Sequence, residues 1–168
     1  PLLKQIFSWA REVNPSQPIT AGVWHPNLGE MNVWQIENSD IITYHTYEPL
    51  DSHQHLVDTL KKYNRPMVCT EYMARTQGST FQTIMPMLRK ENVGAINWGF
   101  VAGKYQTYEP WNATWEQYEQ NPNMDIDFTK WFHDVYHPSH HPYDPKEIKI
   151  IQLYSQLADR EFERDGHL

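Results

Sequence analysis

Short apolar runs alternate with amphipathic helical patterns along this chain, and four of the runs close on a residue suited to handling a ligand. Residues 2–13 set Leu2, Leu3, Ile6, Phe7, Ala10 and Val13 on one helical face, and Asn14-Pro15 stops that helix. Residues 18–24, carrying Ile19, Ala21 and Val23 and ending on Trp24, read as a buried strand between Pro18 and Pro26. The segment that follows is too irregular to assign. Residues 39–45 form a second strand, and a helix through Leu56, Val57 and Leu60 ends at Tyr63-Asn64. Arg65-Pro66 leads into a third strand over residues 67–71. Ser79 with Gln82 then predicts a capping-box start for a helix bearing Phe81, Ile84, Met85 and Leu88, which Pro86 should kink. Residues 94–99 make a fourth strand, and Asp144-Pro145-Lys146-Glu147 caps a last helix through Ile148, Ile151, Tyr154 and Leu157.

This order predicts an α/β fold whose parallel strands are joined by helical crossovers, in an open doubly wound sheet or a closed barrel. No nucleotide-binding fingerprint supports the open sheet. In a barrel, the strand-end residues Trp24, His45, Glu71 and Trp98 would converge on the C-terminal face, where such folds place their chemistry. Four strands are half of a (β/α)8 TIM barrel and would leave two sheet edges bare. The expectation is therefore one partial barrel domain over residues 1–168, comprising strands five to eight with their helices. The N-terminal half is expected upstream of Pro1, which has no initiator Met before it.

Charge narrows the partners. Fourteen basic against 21 acidic side chains give a formal net charge of −7, with no basic stripe to meet a phosphate backbone, so nucleic acid is excluded as the expected partner. No run of about 18 apolar residues is present to span a membrane as a helix. The single Cys69 lies in a strand and reads as a small buried apolar residue. His137, His140 and His141 sit in a Pro-rich turn with nothing to make their nitrogens converge, so no metal and no cofactor is expected. Residues 99–143 hold 11 of the chain's 23 aromatic residues. A connection that long and that aromatic predicts a folded excursion on the rim, in which Tyr105 and Trp111 either line a ligand cleft or pack within the loop.

At the strand ends the sequence resembles the glycoside hydrolases of clan A, most specifically family 5 and its cellulase-like and xylanase-like bacterial relatives. Four motifs carry the resemblance: Ala21-Gly22-Val23-Trp24, Tyr44-His45-Thr46-Tyr47, Thr70-Glu71-Tyr72 and Asn97-Trp98-Gly99, on strands five to eight. The family's Asn-Glu motif at the end of strand four has no match here and would fall upstream of Pro1. The resemblance implies hydrolysis of a β-linked oligo- or polysaccharide with retention, with Glu71 as nucleophile and an absent Glu as acid and base.

Retaining glycosidases hold their two carboxyl groups about 5–5.5 Å apart, and Glu71 supplies only one. From position alone, Glu71 is equally well an exposed strand-end residue. Tyr47 lies where it could donate a hydrogen bond to the Glu71 carboxylate, and His45 could bind sugar hydroxyls. Trp98 would floor the subsite of the scissile sugar, with Asn97 and Trp24 as further contacts, because an indole face packs on the C–H face of a pyranose. A buried structural role is the alternative for each of these Trp residues. The chain alone is expected to be inactive. The rival function is a non-catalytic carbohydrate-binding fragment that uses the same aromatic rim. The sequence itself fixes no compartment, and secretion or a periplasmic location follows only from the resemblance.

Overall fold

The computed structural model describes residues 1–24 and 26–165. Its regular elements are α1 (Leu2–Glu12), α2 (Gly29–Asn38), β1 (Ile42–His45), α3 (Leu50–Lys61), β2 (Met67–Glu71), α4 (Phe81–Lys90), β3 (Val93–Ala95), α5 (Asn112–Gln120) and α6 (Pro145–Arg164). Single turns of 3-10 helix precede α2 at Pro26–Leu28 and follow β2 at Arg75–Gln77. The three strands form one sheet in the order β1-β2-β3, with both pairings parallel. The expected α/β class and parallel strands are thus present.

Alternation along the strands divides the sheet into two unlike faces. Ile42, Tyr44, Met67, Cys69 and Val93 are buried in one cluster with Val57 and Leu60 of α3 and Phe81, Ile84, Met87 and Leu88 of α4. Ile148 and Ile151 of α6 pack against that cluster. Each fully buried aliphatic or Phe side chain contributes roughly 1.5–3 kcal/mol, so this face holds the sheet to its helices. On the other face, Thr43 is buried, Val68 and Thr70 are half-buried, and Gly94 and Ile96 are exposed.

Local chemistry sets the helix ends. Asp144 accepts from the Lys146 N–H at 2.8 Å with Pro145 at the first helical position, as the sequence predicts for α6. Arg65 gathers the carbonyls of Ile36, Glu37 and Ser39, which caps the C-terminal end of α2. The capping box of α4 falls one residue later than expected, on Thr80 and Thr83. Ser79 is instead buried, where its Oγ accepts from the Met73 N–H.

Two expected strands come out differently. Residues 18–24 do not form a ladder strand, and only Val23 bridges β1, opposite Tyr44. Polar side chains intercept the backbone groups that a ladder would need. The Ile19 N–H goes to Asp40 Oδ2, the Ala21 N–H to Ser39 Oγ, and the Gly22 carbonyl to Gln35 Nε2. β1 starts only at Ile42, because the Ser39 N–H closes α2 onto the Gln35 carbonyl and the Asp40 N–H goes to the Ile19 carbonyl. The fourth expected strand shrinks to Val93–Ala95. Beyond it, the Ile96 and Trp98 N–H groups still reach the carbonyls of Cys69 and Tyr72, but the run ends in a turn at Gly99, φ +82°. The unassigned segment after Trp24 contains α2, and the long aromatic connection contains α5.

Candidate functional site

The site is built where β1 and β2 end side by side. A register irregularity after Tyr44 pairs His45 with Glu71, and the Thr46 N–H donates to the Glu71 carbonyl at 3.1 Å. Two residues on, the Tyr47 hydroxyl donates to Glu71 Oε2 at 2.7 Å. Burial, and then the adjacent Glu71 carboxylate, push the Tyr47 hydroxyl well above the ordinary phenol pKa. It therefore stays protonated and acts as a donor throughout the working range of pH.

The long connection folds back to hold Tyr47. The Tyr47 ring meets Trp111 edge-on at 5.1 Å and His133 at 5.2 Å, measured between ring centres. The Trp111 Nε1–H donates to His133 Nε2 at 3.1 Å, and His133 Nδ1 lies 2.7 Å from the Met73 carbonyl. An indole nitrogen can only donate and a carbonyl can only accept, so His133 carries its proton on Nδ1 and leaves Nε2 bare. Burial pushes the His133 pKa down, which keeps the ring neutral and able to accept. Met73 lies two residues beyond Glu71 with φ +75°, a left-handed conformation uncommon for a side-chain-bearing residue. Gly99 is needed against His133, because a Cβ there would lie 2.7 Å from His133 Cβ and 3.1 Å from Asp134 Oδ1.

A buried ion pair fixes this part of the connection to the body of the fold. Arg75 donates from Nε and Nη2 to the two oxygens of Glu147 at 2.8 and 2.6 Å, and both side chains are 4% exposed. The same guanidinium reaches the carbonyls of Trp131 and Asp134 and lies over the Tyr143 ring at 4.3 Å. Beneath Glu71, Cys69 Sγ lies 3.4 Å from the Glu71 carbonyl as a donor, its thiol pushed up to about 12 by burial. Cys69 is buried, as its place in the strand suggested, and it is no thiolate nucleophile.

The structure joins Glu71, Tyr47 and Trp111 directly. His45 packs against Trp24 at 5.2 Å, and Trp24 is more than half exposed. Trp98 is held by its backbone beside Tyr72 with its side chain exposed, while Asn97 Nδ2 closes the turn onto the Gly99 carbonyl at 2.6 Å. Tyr105 is not drawn in. It is 95% exposed and makes no ring contact among the described residues. Sequence reasoning missed His133, Met73, Arg75 and Glu147. Nothing in the sequence pattern marked His133 or Arg75.

Glu71 is half-buried, whereas two carboxylates are buried: Glu147 is paired with Arg75, and Asp134 accepts from the Thr107 hydroxyl on Oδ2 at 2.8 Å while its Oδ1 has no hydrogen-bond partner. No group of three or more His, Cys, Asp or Glu side chains able to hold a metal ion occurs among the described residues. No helix among the described residues is long and apolar enough to cross a membrane. A groove of about 770 Å³ lies away from Glu71 between α4, β3 and α6, lined by Leu88, Val93, Tyr154 and Phe162 among others. The C-terminal ends of parallel strands are the stronger candidate, because polar groups converge there. No family model matches the chain, and no curated protein matches it.

Proposed function

We propose that this chain is the nucleophile-bearing half of a (β/α)8 retaining glycoside hydrolase of the family 5 type, acting on a β-linked glycan. The observation that carries the reading is the 2.7 Å hydrogen bond from Tyr47 to Glu71 Oε2 at the end of two parallel strands. That bond occupies one carboxylate oxygen with a fixed donor and leaves Oε1 as the atom to attack an anomeric carbon. Displacement would form a covalent glycosyl ester on Glu71, which water then cleaves. The second carboxyl group, acid and then base, comes from the N-terminal half of the barrel. The half-open sheet supports this, with Gly94 and Ile96 exposed on the face that further strands would close. On this reading, β1, β2 and β3 stand as strands six to eight, and the stretch around Val23 stands as the fifth. Trp24, Trp98 and the exposed part of Trp111 offer faces to the sugar rings, and His45 and Asn97 lie among them.

A leaving group that departs without a proton separates the nucleophile from the missing acid. The chain is incubated with 2,4-dinitrophenyl 2-deoxy-2-fluoro-β-glycosides of the gluco, xylo and manno series and analysed by intact and peptide mass spectrometry. One glycosyl adduct on the peptide containing Glu71, absent in Glu71→Gln, is the expected result, with no turnover of unactivated β-glycosides. Binding of β-glycans that survives Glu71→Gln and weakens in Trp98→Ala, with no adduct from any member, would make the site a carbohydrate-binding surface instead.

A further inference from the structure

We infer that His133 is a positioning residue for Glu71: held by Met73, it anchors the Trp111 indole and thereby sets the Tyr47 ring that donates to the carboxylate. The inference rests on the reading of Glu71 as the reacting group. The hydrogen bonds of His133 go to Trp111 and Met73 and not to Glu71. His133 acts through two neighbours, each fixed by a directional contact.

The contacts run in one sense. The Met73 carbonyl, presented by a left-handed backbone at φ +75°, takes the Nδ1–H of His133 at 2.7 Å. Nε2 is thereby left to accept the Trp111 Nε1–H at 3.1 Å. Trp111 meets Tyr47 edge-on at 5.1 Å, and the His133 ring flanks the same Tyr47 ring at 5.2 Å. His133 is 2% exposed, so water cannot substitute for either of its partners. Its place exists because Gly99 has no side chain, since a Cβ there would stand 2.7 Å away. Residues distant in sequence thus converge on one ring: Met73 from the end of β2, Trp111 and Gly99 from the long connection, and Tyr47 from the end of β1. A side chain retained only to fill space would not need a specific tautomer.

The test compares His133→Asn, which retains a donor near Nδ1 and removes the acceptor, with Trp111→Phe, which retains a ring and removes the N–H. In the ¹⁵N-labelled chain, the His133 ring should show a protonated Nδ1 and a bare Nε2, with nuclear Overhauser contacts between Trp111 and Tyr47. Those contacts should be lost in His133→Asn and recovered in part in His133→Gln, whose Oε1 reaches the position of Nε2. Labelling of Glu71 by the dinitrophenyl fluoroglycoside should slow about tenfold in His133→Asn and in Trp111→Phe, near the factor that one hydrogen bond is worth. The double variant should be no slower than either single one. Unchanged Trp111–Tyr47 contacts in His133→Asn, or slowing that multiplies in the double variant, overturns the inference. If the unmodified chain takes no label, the Glu71 reading fails while the ring contacts still decide the role of His133. If His133→Asn does not fold, Trp111→Phe carries the test.

Discussion

Two sets of aromatic side chains share the rim of this fold and are held in opposite ways. Tyr47, Trp111, Phe132 and His133 interlock at centre distances of 5.1–5.9 Å. Trp24, Trp98, Phe100 and Tyr105 are exposed, from 45% to 95%, with Trp24 resting on His45 and Phe100 on Tyr136. Composition does not separate the sets. What separates them is that the first four rings pack on one another, with Nε2 of His133 fixing the Trp111 nitrogen. Trp111 belongs to both, tied at its nitrogen yet 40% exposed, so it can present a rigid face to a ligand.

The held set depends most on the ion pair beneath it. Arg75→Met leaves Glu147 buried without a counter-charge and frees the carbonyls of Trp131 and Asp134, so a loss of about 3–5 kcal/mol in unfolding free energy is expected. Replacing both partners, Arg75→Met with Glu147→Leu, should cost less than the single change, though not nothing, because the two carbonyls stay unpaired. Urea unfolding measures both. A single variant within 1 kcal/mol of the parent would show that the pair does not anchor the connection.

Acid is the next largest lever. His53 is fully buried against the Tyr44 hydroxyl at 2.9 Å, and burial lowers its pKa from 6.5 to about 4. Between those values the unfolded chain takes up a proton that the folded chain refuses. Stability is therefore fully present above pH 6.5 and falls by about 3 kcal/mol on the way down to pH 4. His133 is shifted in the same direction and adds to the loss. His53→Leu should flatten this part of the profile, and an unchanged slope would assign the acid sensitivity to other groups. Gly99→Ala tests the space around His133 directly. A methyl group 2.7 Å from His133 Cβ at φ +82° should cost about 2 kcal/mol, seen as a lower urea midpoint.

How far these features can be read from sequence depends on their physical range. The strand ends at His45 and Glu71 were legible because each closes a short apolar run on a polar residue, and the second run is introduced by Pro66. The Tyr47–Glu71 contact was expected from the resemblance, and the register shift after Tyr44 that accompanies it was not legible. The stretch around Val23 looked like a strand because apolar alternation cannot reveal that Asp40, Ser39 and Gln35 will take its backbone groups. Arg75 and Glu147 are 72 residues apart, and each alone reads as an ordinary surface charge. His133 was hidden for a similar reason, since its partners are a backbone carbonyl and an indole brought in by a loop whose path no periodicity specifies.

The smallest expected effects separate the two aromatic sets most cleanly. Trp111→Phe keeps a ring against Tyr47 but leaves His133 Nε2 buried and unpaired, so about 1 kcal/mol of stability should be lost. Tyr105→Ala removes a side chain that is 95% exposed and free of ring contacts among the described residues, so the change should stay below about 0.5 kcal/mol. Thermal unfolding of the two variants side by side gives the comparison. Equal losses would mean that residues 99–143 are held as one unit, with Tyr105 as much a part of it as Trp111. A loss confined to Trp111→Phe would mean that the hydrogen bond to His133 divides the loop into a fixed inner part and a loose outer part. Tyr105, if it meets a glycan at all, would then do so as a side chain that must be ordered on binding, at a cost of about 0.5–1.5 kcal/mol that the tethered Trp111 largely avoids.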